Sequence, residues 1–311
     1  MQTRHRWGDT LFSGAASTAG VVVIASVVLI AVFLVAQAIP ALLHDKANFL
    51  TSRAWDLSEP MHFGILQLLW TTVATSVVAL AIALPLSIAV ALFLTHYAPG
   101  RLAQPAAVLL DLLAAVPSIV YGLWGAYTVA PRFGPVQDAI QHTLGWIPLF
   151  GRVSTVSGGT TILLVGIVLA VMVLPIMTAL NREILAKAPA AHQEAALALG
   201  ATRWEMIRLA VLPHGRAGII SGAMLGLGRA LGETIAVMFI LSALPQGSAW
   251  TWSLFNGGET FASKIASDAA ELTPGLGTGA YIAAGLVLFV LTFLVNAIAR
   301  VVINHSKDVA A

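Results

Sequence analysis

Two charged residues, Arg229 and Glu233, interrupt a long apolar stretch of the sequence, residues 218–244. A charge at the centre of a membrane-spanning helix costs about 2.5–3.5 kcal/mol on insertion scales, so such residues usually face a bundle interior or a water-filled path. Their spacing of four predicts that they stack on one face of a helix. Because a guanidinium offers a planar fork of donors, we expect Arg229 to meet an anion, with Glu233 as its counter-charge when no anion is bound. The alternative is an ion pair that only locks two helices together.

The composition predicts that lipid surrounds most of this chain. Hydrophobic residues make up 58% of the 311 and charged residues only 10%, whereas soluble domains are about 25% charged. The basic residues are dispersed between apolar stretches, so no nucleic-acid partner is expected. There is no cysteine, which excludes disulfides and thiolate metal ligands. The eight histidines lie outside the apolar stretches and show no metal-ligand spacing, so an intramembrane enzyme is a weak alternative and no cofactor is predicted.

Six stretches reach the length of about 20 apolar residues that a spanning helix needs, so we expect an all-α, polytopic membrane protein with six transmembrane helices. The first stretch follows Arg4 and Arg6 and ends near Ala36-Gln37-Ala38, which resembles a signal-peptide cleavage site. Its apolar run exceeds the about 7–15 residues of a signal peptide, so we favour a retained anchor. The six predicted spans are residues 20–39, 68–94, 105–130, 161–180, 218–244 and 277–299.

The lysines and arginines between the spans predict the orientation, because cytoplasmic connections carry an excess of them. With the N-terminus inside, five basic residues lie outside, and we expect the outer segments 40–67, 131–160 and 245–276 to form short helices and turns. Ten basic residues then lie inside, so both termini are expected in the cytoplasm. The ten are Arg4, Arg6, Arg101, Arg182, Lys187, Arg203, Arg208, Arg216, Arg300 and Lys307, and the five are Lys46, Arg53, Arg132, Arg152 and Lys264.

The one long inner connection, residues 181–216, is predicted to form two helices joined by a turn. The segment 194–199 favours a helix, and Gly200 is placed to end it. Thr202 and Glu205 have the spacing of a capping box that starts a second helix, which Pro213 is expected to end. We call residues 190–213 the elbow. Physical chemistry alone also allows an interfacial amphipathic linker.

The residues of the elbow resemble the EAA motif of bacterial ABC importer permeases, although Ala210 replaces an isoleucine that is usual there. The resemblance implies a type I ABC importer permease fold, in which the elbow docks on a pair of ATP-binding subunits. The matching residues, which the resemblance assigns to ATPase coupling, are Glu194, Ala195, Ala196, Gly200, Leu212 and Pro213.

The predicted span 218–244, which we call the charged span, indicates a particular group within this family. The sequence GLGRALGETIAVMF and the segment AAVPSIVYGLWG at 114–125 are similar to permease subunits of the phosphate-specific ABC importer. The continuation Ile235-Ala236-Val237-Met238 resembles its C-type subunit. The resemblance implies a bacterial inner-membrane protein that works with an A-type permease, an ATP-binding dimer and an extracytoplasmic phosphate-binding protein. It covers residues 63–300, which leaves 1–62 as an anchor with an outer segment and 301–311 as a cytoplasmic tail.

The expected substrate path contains Arg229, Glu233 and Thr234 of the charged span. Pro117 is predicted to break the third span and to free backbone groups there. The hydroxyls of Ser118 and Tyr121 are then placed to complete a polar lining.

Other transport functions stay open at this stage. An ABC importer permease for sulfate or molybdate would fit the same sequence features. A proton-coupled secondary transporter would use Asp111 and Glu233 as a relay, and Asp111 is otherwise expected to pair with Arg101 or Arg216 or to face inner water. The sequence has no Gly-x-x-x-x-Gly-Lys-[Ser/Thr] loop, so the chain is expected to be no enzyme itself and to need a separate ATPase.

Overall fold

The chain is helical almost throughout the residues that the computed structural model describes, which are 7–151, 159–244, 248, 250–270 and 275–308. Arg4, Arg6 and Arg152, which contributed to the predicted orientation, lie outside these residues. The helices are α1 Trp7–His44, α2 Leu66–Leu92, α3 Gly100–Ala114, α4 Ser118–Trp124, α5 Ala130–Leu144, α6 Ile162–Ala186, α7 Ala190–Ala198, α8 Arg203–Met206, α9 Leu212–Leu231, α10 Ile235–Ile240, α11 Phe261–Ser267 and α12 Leu276–Asp308.

Three π-helical segments and one 3-10 turn extend these helices. The π segments are Phe93–Tyr97, Gly125–Val129 and Ile207–Val211, and the 3-10 turn is Pro148–Phe150. A two-residue strand pair, β1 Trp55–Asp56 and β2 His62–Phe63, closes the outer segment after α1. The predicted all-α class is confirmed, and the segments expected outside do contain short helices and turns.

Four helical segments in the described part of the chain are long and apolar enough to cross a membrane: Leu11–His44, Leu66–Tyr97, Ile162–Ala186 and Gly277–Val302. The predicted third span is a bent pair, Gly100–Ala114 and Ser118–Leu144, with an angle of 88° between its halves. The predicted fifth span is divided into α9 and α10. The predicted polytopic architecture is therefore present, with four such helices, or five if the bent pair counts as one span, where the sequence predicted six.

The helix α6 lies at the centre of the largest hydrophobic cluster. It is rich in valine, leucine and isoleucine, and its first turn is capped by Thr161, whose side chain accepts a hydrogen bond from the Leu164 N–H. Most of its apolar side chains are buried between α2 and α9. Gly166 permits the close approach of α2, because a Cβ there would lie 2.5 Å from Val78.

Three glycines of α9, each four residues from the next, lie against α6 as the small-residue spacing predicts. A Cβ on Gly218 would come within 2.6 Å of Ile184, one on Gly222 within 3.1 Å of Asn181, and one on Gly226 within 2.5 Å of Met177. A Cβ on the neighbouring Gly228 would have no atom within 4 Å. These three glycines, which we call the glycine face of α9, therefore determine how closely α9 approaches α6.

We predict that Gly218→Leu destabilises the protein by about 1–3 kcal/mol, the usual cost of overpacking. Gly228→Ala in the same helix is the matched control, since alanine has the higher helix propensity and meets no neighbour. Thermal unfolding of the purified variants checks this. A Gly218→Leu melting temperature equal to that of Gly228→Ala would contradict the packing.

Lys264 joins several outer elements in one ionic cluster. Its ammonium lies 3.1 Å from Glu259 and 3.0 Å from Asp268, and it is 5.9 Å from the centre of the Trp55 ring. Asp268 also accepts a 2.7 Å hydrogen bond from the Tyr281 hydroxyl of α12. Burial raises the pKa of Asp268, but the hydrogen bonds from Tyr281, Lys264 and Ser267 outweigh it and hold the pKa below its ordinary value.

This cluster predicts a loss of stability in acid. A carboxylate whose folded pKa is depressed stabilises the fold above its unfolded pKa, and the contribution disappears as pH falls through the folded value, below about pH 4. Asp268→Asn should therefore lower the melting temperature at pH 7, and the gap to the wild type should narrow between pH 5 and pH 3. A gap that stays constant over that range would contradict the ionic role.

Candidate functional site

The two broken spans meet at their breaks. The helix α3 ends at Ala114 and α4 begins after Pro117, as the proline predicted, while α9 ends at Leu231 and α10 begins after Thr234. The short helices α4 and α10 pack side by side. A Cβ on Gly122 would lie only 2.9 Å from the Ala236 Cα, so glycine is needed for this approach. The structure thus packs the helices that follow the two breaks against each other within predicted spans.

The expected stacking of Arg229 and Glu233 on one helix face is wrong. The helix ends between them, because Gly232 forms its C-cap, and the two side chains make no ion pair. Glu233 is 8% exposed, and its Oε1 accepts a 3.2 Å hydrogen bond from the Ala236 N–H at the start of α10. Arg229 lies on the exposed face of this chain, without a carboxylate partner in the described residues.

The residues predicted to line the path lie around these breaks. The Arg229 charge interacts with the Tyr121 side chain. The Tyr121 hydroxyl donates a 3.0 Å hydrogen bond to the Leu113 carbonyl, which spans the break between α3 and α4. Ser118 opens α4, and the Thr234 hydroxyl donates to the Gly232 carbonyl at 3.2 Å. Tyr121 therefore braces a break, and its one hydroxyl proton is engaged there.

This arrangement has the chemical features of an anion site. Arg229 supplies a permanent charge with donors in a fork. Non-helical backbone at membrane depth is tolerated where it is buried in protein or lines a water-filled cavity. In the part of the chain that the structure describes, no group of three or more His, Cys, Asp or Glu residues could hold a metal ion.

The first half of the elbow agrees with its prediction. The helix α7 ends at Ala198, and Gly200 follows with a φ of +85°, a conformation that favours glycine. The capping box is present, because the Glu205 N–H donates to the Thr202 hydroxyl at 3.3 Å and the Thr202 N–H donates to the Glu205 carboxylate at 2.8 Å. Glu194 and Ala195 are exposed, whereas Ala196 is half-buried.

The expectation that Pro213 ends the second elbow helix is wrong. The helix α8 continues through the π segment Ile207–Val211 directly into α9, and Pro213 occupies the first turn of α9. Proline inside a continuous helix removes one backbone hydrogen bond, and here it directly follows the π segment, where the pattern already changes because the Leu212 N–H donates to the Ile207 carbonyl. The second half of the elbow and the first half of the charged span are therefore one helical rod from Arg203 to Leu231.

The elbow is buried on one side only. Its inner side packs Met206, Ile207 and Val211 against the ends of α2 and α6, with Leu92 and Leu185 among the contacts. Its other side exposes large apolar residues, Leu197, Leu199, Trp204 and Leu209, and Leu199 is 90% exposed at the tip. Sequence reasoning missed Leu199 and Trp204, although large apolar side chains beside Gly200 in a polar connection were a usable signal.

Asp111 pairs with neither Arg101 nor Arg216. It lines a cavity of about 740 Å³ near the inner end of α6, together with Thr95 and Arg182. Of the three expectations for Asp111, the structure agrees with a carboxylate that faces an inner space.

Comparison with known proteins gives consistent matches. The family model for the binding-protein-dependent transport system inner membrane component matches residues 83–306. The phosphate transport system permease protein PstC 2 of Mycobacterium tuberculosis is 52% identical over 301 residues, which are 96% of this chain and 92% of that protein. The phosphate transport system permease protein PstC of Mycobacterium leprae is 52% identical over 277 residues, covering 88% of this chain and 86% of that protein.

The similarity extends to solved structures. An inward-facing structure of the MetNI methionine ABC transporter superposes with a TM-score of 0.54 at 17% identity, covering 80% of this chain and 99% of that one. At this level of identity the likeness concerns the fold alone, and it agrees with the type I permease fold that the sequence predicted.

Proposed function

Because the chain belongs to the family of binding-protein-dependent transport system inner membrane components, we propose that it is the C-type permease subunit of an ATP-driven importer of inorganic phosphate. The observation that carries this proposal is the 52% identity to phosphate transport permeases over 96% of the chain. Sulfate or molybdate permeases and proton-coupled transporters, the alternatives that the sequence allowed, are not favoured.

The proposed substrate path passes the two breaks. Phosphate is a hydrated oxyanion, so crossing requires fixed donors in place of its water. In our proposal Arg229 binds the anion, and Ser118 and Thr234 contribute hydroxyls beside it. Glu233 acts by holding the start of α10 through Ala236, because its carboxylate is engaged there and not with Arg229.

Tyr121 has a positioning role in this path. Its hydroxyl donates a hydrogen bond to the Leu113 carbonyl across the break between α3 and α4, and its side chain interacts electrostatically with Arg229. This hydrogen bond helps to position α4 beside α10, where Gly122 packs so closely against Ala236 that a larger side chain would clash.

We propose that the elbow couples this chain to ATP hydrolysis. The chain is a transport subunit, and ATP hydrolysis belongs to a separate ATP-binding pair in this scheme. The exposed tip at Leu199, together with Glu194, Ala195 and Gly200, is the docking surface. Leu212 and Pro213 lie in the rod that continues to Arg229, so a force on the tip reaches the charged break through the turn at Gly200 and this rod.

The protein is a multi-pass protein of the bacterial inner membrane. We further propose that both termini are cytoplasmic, that an A-type permease completes the path, and that an extracytoplasmic phosphate-binding protein delivers the anion. Residues 1–62 serve as an anchor with its outer segment in this scheme, 63–300 as the permease domain and 301–311 as a cytoplasmic tail.

Deletion of the gene for this chain in its host tests the proposed function. We expect saturable phosphate uptake at micromolar phosphate to disappear and sulfate uptake to persist, and a copy of the gene should restore the loss. Loss of sulfate or molybdate uptake with phosphate uptake intact would contradict the proposal.

A further inference from the structure

A second polar cleft, separate from the two breaks, lies among the outer segments. Its volume is about 790 Å³, and its lining comes from residues 51–56, 62, 64, 67 and 68, and from residues 244, 248, 250, 259 and 264. It shares no lining residue with the site around Arg229. Residues 51–68 precede the part of the chain that the family model matches, so the cleft is partly built outside the region that defines the family.

The carboxylates of the cleft are already engaged. Glu259 forms an ion pair with Lys264 at 3.1 Å, and Lys264 binds Asp268 as well. One oxygen of Asp56 accepts hydrogen bonds from both the backbone N–H and the hydroxyl of Ser58. Lys264 therefore binds two of these carboxylates, and the third, Asp56, has its hydrogen bonds from Ser58 without a ligand.

The remaining cleft groups are mainly donors. Arg53 has no carboxylate partner in the described residues, and its guanidinium lies 5.5 Å from the centre of the Trp250 ring. The Trp250 indole N–H is buried and meets no acceptor in the described part of the chain. The Gln67 amide lines the same space. Cation–π contact with Trp250 holds the Arg53 fork beside a second, unused donor.

We propose that this cleft binds a tetrahedral oxyanion of the phosphate type at the outer face. Arg53 supplies the charge and two parallel N–H groups, Trp250 supplies its indole N–H, and Gln67 supplies an amide N–H. The oxyanion is either free phosphate or the headgroup of a phospholipid. The choice of phosphate as the substrate held at this cleft rests on the proposed function, and its effect is to raise the local substrate concentration at the outer mouth.

Fluorine NMR of the complete importer, labelled with 5-fluorotryptophan, tests the cleft. The complex is kept in maltoside micelles without added phospholipid, and the Trp250 signal is assigned by its loss in Trp250→Phe. We expect a saturable shift of this signal with inorganic phosphate. Arg53→Gln should raise the midpoint concentration about tenfold or more, because one charge-assisted hydrogen bond is worth about that factor. Arg132→Gln is the matched control, since Arg132 binds the Thr128 carbonyl away from the cleft.

The two sources of the oxyanion are separated by a second titration with dihexanoyl-phosphatidylglycerol. A shift with phosphate identifies the free anion, and a shift with the lipid alone identifies the headgroup. The absence of both shifts, an equal response to acetate or chloride, or an unchanged midpoint in Arg53→Gln would overturn the proposal.

Arg229→Gln separates this inference from the proposed function. The Trp250 shift should persist in that complex while phosphate transport is lost. Loss of the shift would locate the responding anion at Arg229 and overturn the cleft. A normal shift in a wild-type complex that transports sulfate but not phosphate would reject the proposed function and leave an oxyanion cleft.

Discussion

Arg229→Gln should reduce ATP-driven phosphate uptake by at least about tenfold at normal abundance of the complex, because each hydrogen bond to a charged group contributes about 1.5–3 kcal/mol. Arg229 lies on the exposed face of this chain beside a helix break and near Tyr121. It makes no ion pair, so glutamine leaves no uncompensated carboxylate behind. The loss should therefore appear in transport and not in folding.

Uptake of labelled phosphate into proteoliposomes measures this effect. Arg229→Lys is the informative companion, since it keeps the charge but lacks the planar fork, and it should be intermediate. The charge swap Arg229→Glu with Glu233→Arg should stay inactive, because Glu233 also caps α10. Full activity of Arg229→Gln would contradict the role of Arg229 in binding the anion, and rescue by the swap would indicate that the two residues act as a structural pair.

Leu199→Asp should separate the permease from its ATPase. Leu199 is 90% exposed at the elbow tip, so aspartate costs the isolated chain little stability. Burial of a leucine at an interface contributes about 1.5–3 kcal/mol, so its loss, with a buried charge in its place, should weaken ATPase binding by at least about tenfold.

Pull-down of the ATP-binding subunit, together with phosphate-stimulated ATP hydrolysis, checks this prediction. Leu50→Asp is the matched control, because Leu50 is an exposed leucine of the outer segment. Both variants should fold and assemble with the second permease. Equal ATPase binding by Leu199→Asp and Leu50→Asp would show that the elbow tip is not the docking surface.

The sequence predicted the elements whose signals are local. The lengths of their apolar stretches predict the helices α2, α6 and α12, and Pro117 indicates the first break because proline removes a helical hydrogen bond and clashes with the preceding turn. Gly200 and the capping box of Thr202 and Glu205 placed the elbow turn correctly, since both signals depend on neighbouring backbone alone.

Two features required tertiary information. The break after Leu231 lies inside a predicted span that contains no proline, so hydropathy extends the helix through Gly232; in the structure the Glu233 carboxylate accepts a hydrogen bond from the Ala236 N–H at the start of the new helix. Pro213 alone predicts a helix end, and only the structure shows that the π segment before it continues into α9 through the proline.

The corrected break and rod change how the site is connected. With Pro213 inside a continuous helix, the second half of the elbow and Arg229 lie on the same rod, and α6 supports that rod through the glycine face of α9. Glu233 and Tyr121 each hold a different break, so both breaks beside the proposed anion site are braced by side-chain hydrogen bonds.

The most direct test of the central claim is transport by the reconstituted importer, with this chain, its A-type partner, the ATP-binding pair and the phosphate-binding protein in liposomes. Phosphate uptake should require ATP and this chain, should fall by at least about tenfold in Arg229→Gln, and should be unaffected by a hundredfold excess of sulfate or molybdate. Uptake that sulfate or molybdate abolishes, or that proceeds at full rate in Arg229→Gln, would contradict a phosphate path at Arg229.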